Sequence, residues 1–151
     1  MLCGGAPHYE PKRMLVRTKL VLTAEDVKKM AAAAEAHAVA NHWAVTVAIF
    51  DDGGHLLHLH RMDGAAPSTV EMAIGKGRTS VLGRRETKVY EEIIKQGRTA
   101  FLSAPLVSMV EGGVPIVVDG EVVGSIGVSG VKSDQDAAVA RAGIAALGLS
   151  E

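Results

Sequence analysis

The sequence has few aromatic residues, a single cysteine and no excess of either charge. Aromatic residues make up 3 % of the 151 positions. The lone Cys3 excludes a disulfide within the chain, which favours a reducing compartment. The formal net charge is -1, so bulk electrostatics attract neither nucleic acid nor an anionic membrane. We therefore expect a protein with no nucleic-acid partner and no membrane partner.

Long hydrophobic runs are also missing. No apolar stretch reaches the roughly 18 residues needed to span a bilayer, and residues 1–13 lack the apolar region of a secretory signal. These absences predict a cytoplasmic protein. The length and the 48 % hydrophobic content suffice for one domain with a substantial core. We predict a flexible leader over residues 1–19 and a single domain over residues 20–151.

Two stretches predict β-hairpins. Residues 44–50 form an apolar run rich in β-branched side chains, which indicates a strand covered on both faces. The turn cluster Asp51–Gly54 follows, and residues 55–61 then interleave leucines with histidines as a second strand. The pair Asp119–Gly120 is a strong two-residue turn signal between strands at 116–118 and 121–128.

The remaining segments predict four helices and an edge strand. Thr23 with Asp26 resembles a capping box, and Ser68 with Glu71 matches the S-x-x-E form of that motif. The first two predicted helices span residues 24–41 and 69–82. A third ends at residue 96 and has Thr87 as N-cap, and a fourth runs from Ser133 as N-cap to Gly148. Residues 16–22 predict the edge strand. Together these elements predict an α+β fold in which helices cover both faces of an antiparallel sheet, a three-layer α/β/α sandwich.

Four histidines are candidate ligands. His58 and His60 point to the same face of their strand, and such a pair can chelate a metal. We favour the alternative of a partly exposed sheet face, because no carboxylate or third histidine stands at an evident ligand spacing. His37 lies at the margin of the apolar stripe on the first helix, and His42 lies at the end of that helix.

The helix at 69–82 combines small and polar residues. Gly75 and Gly77 weaken a helix interior, which indicates that backbone, a ligand or another subunit comes close there. Lys76 and Thr79 are predicted on the face opposite to the core. Lys76 is either a solvated lysine or, together with Arg78, part of an anion-binding site.

Several motifs resemble those of a known family. They are the segments Asp51–Leu56, Arg61–Ala65, Gly112–Ile116, Asp119–Gly120 and Val123–Gly130. In this order they look like the GlcG/HbpS family, which also includes the C-terminal domain of PduO-type proteins. The resemblance covers residues 20–149 and implies a profilin-like fold, a homo-oligomer (dimer, tetramer or octamer) and the binding of haem or another tetrapyrrole, for sensing, storage or breakdown.

If haem binds, an imidazole is the expected iron ligand. The resemblance favours His37, with His42 as second choice. The charge-assisted donors of Arg61, Lys76 and Arg78 would then bind the propionates, with Thr79 in the same site. We prefer, for Arg61, a structural ion pair with Asp63. The low aromatic content argues against a haem pocket.

An enzyme is the alternative function. In that hypothesis a cofactor-independent catalyst acts on a small carboxylate-containing metabolite, which Lys76, Arg61 or Arg78 would bind. Asp63 or Glu111 would serve as general acid or base, and the backbone amides of residues 112 and 113 would stabilise developing charge. A third interpretation is an interaction domain whose glycine-rich faces serve assembly alone.

Overall fold

The computed structural model describes residues 16–149, which form four helices and one four-stranded sheet. Along the chain these elements are α1 (Ala24–Ala40), β1 (Thr46–Asp51), β2 (Leu56–Arg61), α2 (Ser68–Gly83), α3 (Thr87–Lys95), a 3₁₀ turn (Thr99–Ser103), β3 (Gly113–Val118), β4 (Glu121–Ser129) and α4 (Ser133–Ala145). Within this part of the chain no helix is long and apolar enough to cross a membrane. The predicted leader lies largely outside the described residues.

The sheet is antiparallel throughout, in the strand order β2-β1-β4-β3. At the turn between β1 and β2, Asp51 Oδ1 accepts hydrogen bonds from the backbone N–H groups of Gly53 and His55, each at 2.9 Å. At the turn between β3 and β4, Asp119 and Gly120 both have positive φ, 50° and 77°. Both predicted hairpins are confirmed.

Helices cover both faces of the sheet. On one face α1 and α4 pack on Val47 and Ile49 of β1, together with Ile126 and Val128 of β4. On the other face α2 packs on Ala48 and Phe50 through residues such as Ala73 and Val81. Because β1 is buried on both sides, it reads as an unbroken apolar run. The predicted α+β fold with three layers is confirmed.

Glycines let the backbone of α2 touch the sheet. A Cβ atom on Gly127 of β4 would overlap the carbonyl oxygen of Ala73 and the backbone nitrogen of Gly77. A Cβ on Gly77 would in turn lie 2.7 Å from Cδ2 of the Phe50 ring. The predicted neighbour of Gly77 was backbone, a ligand or another subunit. Backbone is what lies close, together with a core side chain. Gly75 faces the loop instead, with Ser108 Cβ 3.1 Å from the position of a Cβ atom.

Of the four predicted N-caps, one is confirmed and three are wrong. Thr23 Oγ1 accepts the N–H of Asp26 at 3.1 Å, and the Thr23 N–H donates to Asp26 Oδ2 at 2.8 Å, so this capping box is confirmed. The capping box at Ser68 is wrong, because Pro67 already has helical dihedrals and no side chain caps α2. Thr87 and Ser133 are likewise first helical residues, and the N-caps are Glu86 and Lys132.

The edge strand predicted at residues 16–22 is also wrong, since this segment pairs with no strand of the described chain. Its alternation was only rough, and Val16, Leu20 and Val21 remain exposed, so a strand there would bury little. Leu22 packs on the core, and Lys19 Nζ binds Asp52 Oδ2 at 2.8 Å. Two boundaries differ by three residues: β3 begins at residue 113 rather than 116, and α4 ends at residue 145 rather than 148.

Candidate functional site

His37 lies half-buried in the last turn of α1, beside Trp43. The two ring centroids are 6.0 Å apart and the planes are tilted by 59°. Trp43 packs against the core next to α1, which fixes the indole in place. Within residues 16–149 no hydrogen bond engages the imidazole of His37, so its ring nitrogens are available to a ligand.

His42 is exposed and has a positive φ of 58°. It occupies the position after the last capping residue of α1. The N–H of His42 donates to Val39 O at 3.0 Å, and the N–H of Trp43 donates to Ala38 O at 2.9 Å. This pair of hydrogen bonds is a Schellman motif, which usually places glycine where His42 stands. A histidine at this position adopts a left-handed backbone conformation that non-glycine residues seldom have.

A carboxylate that the sequence analysis did not single out joins the histidines of β2. Glu35 of α1 places Oε1 2.7 Å from His60 Nδ1 and 3.9 Å from His58 Nε2. Only the packing of α1 against β2 brings these residues together, and no sequence spacing indicates it. Nevertheless, no group of three His, Cys, Asp or Glu side chains in residues 16–149 is arranged to hold a metal ion. Glu35 and His60 form a hydrogen bond between α1 and β2, and His58 Nε2 lies beyond hydrogen-bond distance of the same carboxylate.

Lys76 of α2 is fully buried and paired with Asp136 of α4. The side chains are 1 % and 2 % exposed. Lys76 Nζ donates to Asp136 Oδ2 at 2.9 Å and to Val128 O at 3.1 Å. Asp136 Oδ1 accepts the N–H of Val131 at 3.1 Å. Burial raises the pKa of the Asp136 carboxyl, and the neighbouring ammonium of Lys76 offsets part of the rise. The pair connects the helical layers on opposite faces of the sheet.

Lys76 is therefore not on a solvated face of α2, and Thr79 is not either. Thr79 is buried, and its Oγ1 accepts the N–H of Ser108 at 3.0 Å, which attaches the loop before β3 to α2. Arg78, which lies between them in the sequence, is exposed. Arg61 and Asp63 are exposed as well, and no salt bridge joins them in the described part of the chain. The predicted ion pair between Arg61 and Asp63 is wrong.

Glu111 lies at the entrance of β3 and contacts α3. Its backbone N–H donates to Glu91 Oε2 at 2.8 Å, and its carboxylate is 3.8 Å from Lys88 Nζ. The side-chain hydrogen bond from Lys95 and this backbone N–H lower the pKa of Glu91. These contacts stabilise the junction of α3 with the sheet.

The residues of the enzyme hypothesis are dispersed in one chain. Asp63 follows β2 and Glu111 precedes β3, and these strands are the two edges of the sheet, about 14 Å apart at normal strand spacing. The amino group of Lys76 faces Asp136 inside the protein. The haem candidates are divided too, since His37 lies on the α1 face whereas Lys76 and Arg78 belong to α2 on the other face.

This fold defines the class of the protein. The family model described as "Haem degrading protein HbpS-like" matches residues 22–145, and the chain belongs to this family. The family suggested by the sequence motifs is confirmed. The chain is similar to protein GlcG of Escherichia coli, with 50 % identity over 114 residues that cover 76 % of this chain and 85 % of GlcG.

Solved structures share the fold over nearly the whole chain. A double mutant of HbpS from Streptomyces reticuli has 34 % sequence identity and a TM-score of 0.80, covering 96 % of this chain and 99 % of that one. PduOC, whose crystal structure is a complex with haem, has 26 % identity and a TM-score of 0.78, covering 87 % and 98 %. The residues of this chain that suit a haem lie at the end of α1, where the accessible imidazole of His37 stands beside the flat, fixed indole of Trp43.

Proposed function

We propose that this protein binds haem or a related tetrapyrrole, with His37 as the iron ligand. The observation that carries the proposal is the half-buried imidazole of His37, which makes no hydrogen bond within residues 16–149 and stands 6.0 Å from the Trp43 ring. Neutral imidazole is a common haem ligand, and an indole offers a flat apolar surface. The family membership and the haem complex of PduOC support the same ligand class.

The other site residues take secondary roles in this proposal. His42 is the second candidate ligand, exposed at the same end of α1. Arg61 and Arg78 are exposed donors for the propionates, and both lie towards the α2 face. Arg61 has this orientation because it pairs with Thr46, whose hydroxyl is 2.7 Å from Thr69 of α2. The two arginines therefore reach a haem at His37 from a second copy of the chain.

Homo-oligomerisation and a cytoplasmic location complete the proposal. A bound haem supplies a redox-active iron, which sensing, storage and breakdown use in different ways. A shared site requires a dimer, tetramer or octamer, which light scattering after size exclusion measures with and without haem. A monomer that retains full haem affinity would contradict the shared site. Fractionation of expressing cells tests the location.

A haem titration followed by visible absorbance tests the function. We expect a saturable Soret band at one haem per chain, which is shifted or lost in His37→Ala and altered less in His42→Ala. His55→Ala is the matched control, because His55 is exposed in the turn between β1 and β2 and contacts only Asp51 through its ring. Unsaturable absorbance that ignores both substitutions on α1 overturns the proposal.

A further inference from the structure

A cavity lies between α4 and the hairpin of β3 and β4, and His37 is not among the residues that line it. Its volume is 720 Å³, within the range of roughly 300–1,000 Å³ that is usual for small-molecule sites. Its walls are apolar and come from two elements: Val114 and Val117 of β3 on one side, Ile144 and Ala145 of α4 on the other, with Leu149 at the end. Val117 is half-exposed, so the walls are open to a ligand.

The polar groups of this cavity carry both signs of charge. Arg141 Nη2 donates to Glu86 Oε2 at 2.7 Å, with side chains 49 % and 33 % exposed. Asp119 adds a second carboxylate. An exposed pair of this kind contributes little to stability. A guanidinium has five N–H donors, and one bond to Glu86 leaves others to a ligand.

The free edge of β3 does not suit an extended peptide, although an edge strand is otherwise a template for one. The N–H of Gly113 is already bound to Thr87 Oγ1 at 2.9 Å. Pro115, two positions on and therefore oriented the same way, has no N–H. Two of the outward donors that a peptide strand would need, those at residues 113 and 115, are thus occupied or absent. The occupant that fits is a small molecule in the cavity beside the edge.

We propose that this cavity binds a small zwitterion with an apolar body, the chemistry of an apolar amino acid. The carboxylate of the ligand pairs with Arg141, and its ammonium pairs with Glu86 and Asp119. The body of the ligand packs on Val117, Ile144 and Leu149. A ligand with only a carboxylate is repelled by the carboxylates of Glu86 and Asp119. A ligand with only an amine is repelled by the guanidinium of Arg141. A zwitterion satisfies both signs of charge.

Calorimetric titration with three compounds that share a phenyl group tests the charge requirement. The probes are L-phenylalanine, 3-phenylpropanoate, which lacks the ammonium, and 2-phenylethylamine, which lacks the carboxylate. We expect L-phenylalanine to bind and each analogue to bind about tenfold more weakly, because each loses one charge-assisted contact. Absence of L-phenylalanine binding, or equal binding of either analogue, overturns the proposal.

Variants of the ion pair place the ligand in the cavity. Arg141→Met is expected to weaken L-phenylalanine binding about tenfold, and Glu86→Gln is expected to reduce the preference for L-phenylalanine over 3-phenylpropanoate. Arg84→Met is the matched control, since Arg84 is exposed at a different cavity and its loss leaves binding unchanged. Thermal unfolding confirms that each variant is folded. L-phenylalanine binding that is unchanged in both Arg141→Met and Glu86→Gln overturns the proposed site. The Soret titration is independent, because no histidine lines this cavity.

Discussion

The two helical layers are attached to the same sheet in different ways. The layer of α1 and α4 packs through apolar side chains, among them Met30, Ala34 and Ala140, all fully buried. The α2 layer also has apolar contacts, but it adds backbone contacts at Gly77 and Gly127 and the buried charged side chain of Lys76. Side chains can repack when a neighbour changes, whereas a backbone contact and a buried charge cannot adjust. We therefore expect a substitution among the packed side chains of the first layer to be tolerated better than one at Gly127 or Lys76 in the second.

The largest effect is expected from Gly127→Ala. The new methyl group would overlap the carbonyl oxygen of Ala73 and the backbone nitrogen of Gly77, neither of which can rotate away. We expect a loss of more than about 4 kcal/mol of unfolding free energy, which abolishes the fold. Ala31→Val adds methyl groups to the other layer and should lose only about 1–3 kcal/mol. Thermal unfolding followed by circular dichroism compares the two, and similar melting temperatures would remove the contrast.

The next largest effect is expected from Lys76→Met. This change leaves the carboxylate of Asp136 buried without its ammonium partner, and we expect a loss of about 3–5 kcal/mol. The double variant Lys76→Met/Asp136→Leu removes both charges and should recover part of that loss. Urea denaturation measures all three proteins. A double variant no more stable than Lys76→Met would show that shape, rather than charge, matters at this contact.

A smaller effect is expected at the start of α1. Thr23→Ala removes the confirmed capping box and should lower the unfolding free energy by about 1 kcal/mol. Ser68→Ala is the matched control, because Ser68 is exposed and makes no capping bond to α2. Urea denaturation should find this control close to the wild type. An equal loss in both variants would contradict the different roles of the two motifs.

The smallest effect is a pH dependence at α3. Because contacts from Lys95 and from the N–H of Glu111 lower the folded pKa of Glu91 below 4.5, Glu91 stabilises the fold above that pH. This contribution is lost as the pH falls through the lowered pKa, and it is small because solvent screens an exposed pair. The melting temperature of Glu91→Gln should thus approach that of the wild type in acid. A difference in melting temperature between the two proteins that does not change with pH would contradict this prediction.

Local signals in the sequence predicted much of the fold. The apolar run of β1, the two turn clusters and the capping box of Thr23 act over a few residues, and each was confirmed. The same motif failed at Ser68 because Pro67 has φ −55° and ψ −36°, so the helical geometry begins one residue earlier. Thr23, with ψ 162°, has the extended backbone that a capping residue needs.

Such local signals could not predict the contacts of the candidate site. Glu35 and His60 are 25 positions apart, and Lys76 and Asp136 are 60 apart. The periodicity of one helix or strand does not show which residue of another element a side chain will contact. Lys76 was therefore predicted on a polar face of its helix, although it is buried. The motifs shared with the family indicated the fold as a whole, and they said nothing about which side chains pair inside it.

The pairing of Lys76 with Asp136 also constrains the order of folding. Closing a loop of 60 positions is slow compared with forming a hairpin or a helix. Until α4 arrives, the ammonium of Lys76 has no carboxylate partner, and its transfer out of water is strongly unfavourable. Final docking of α2 on the sheet must therefore wait for the last helix. In a chain still emerging from the ribosome, α2 stays loosely attached until α4 has been synthesised.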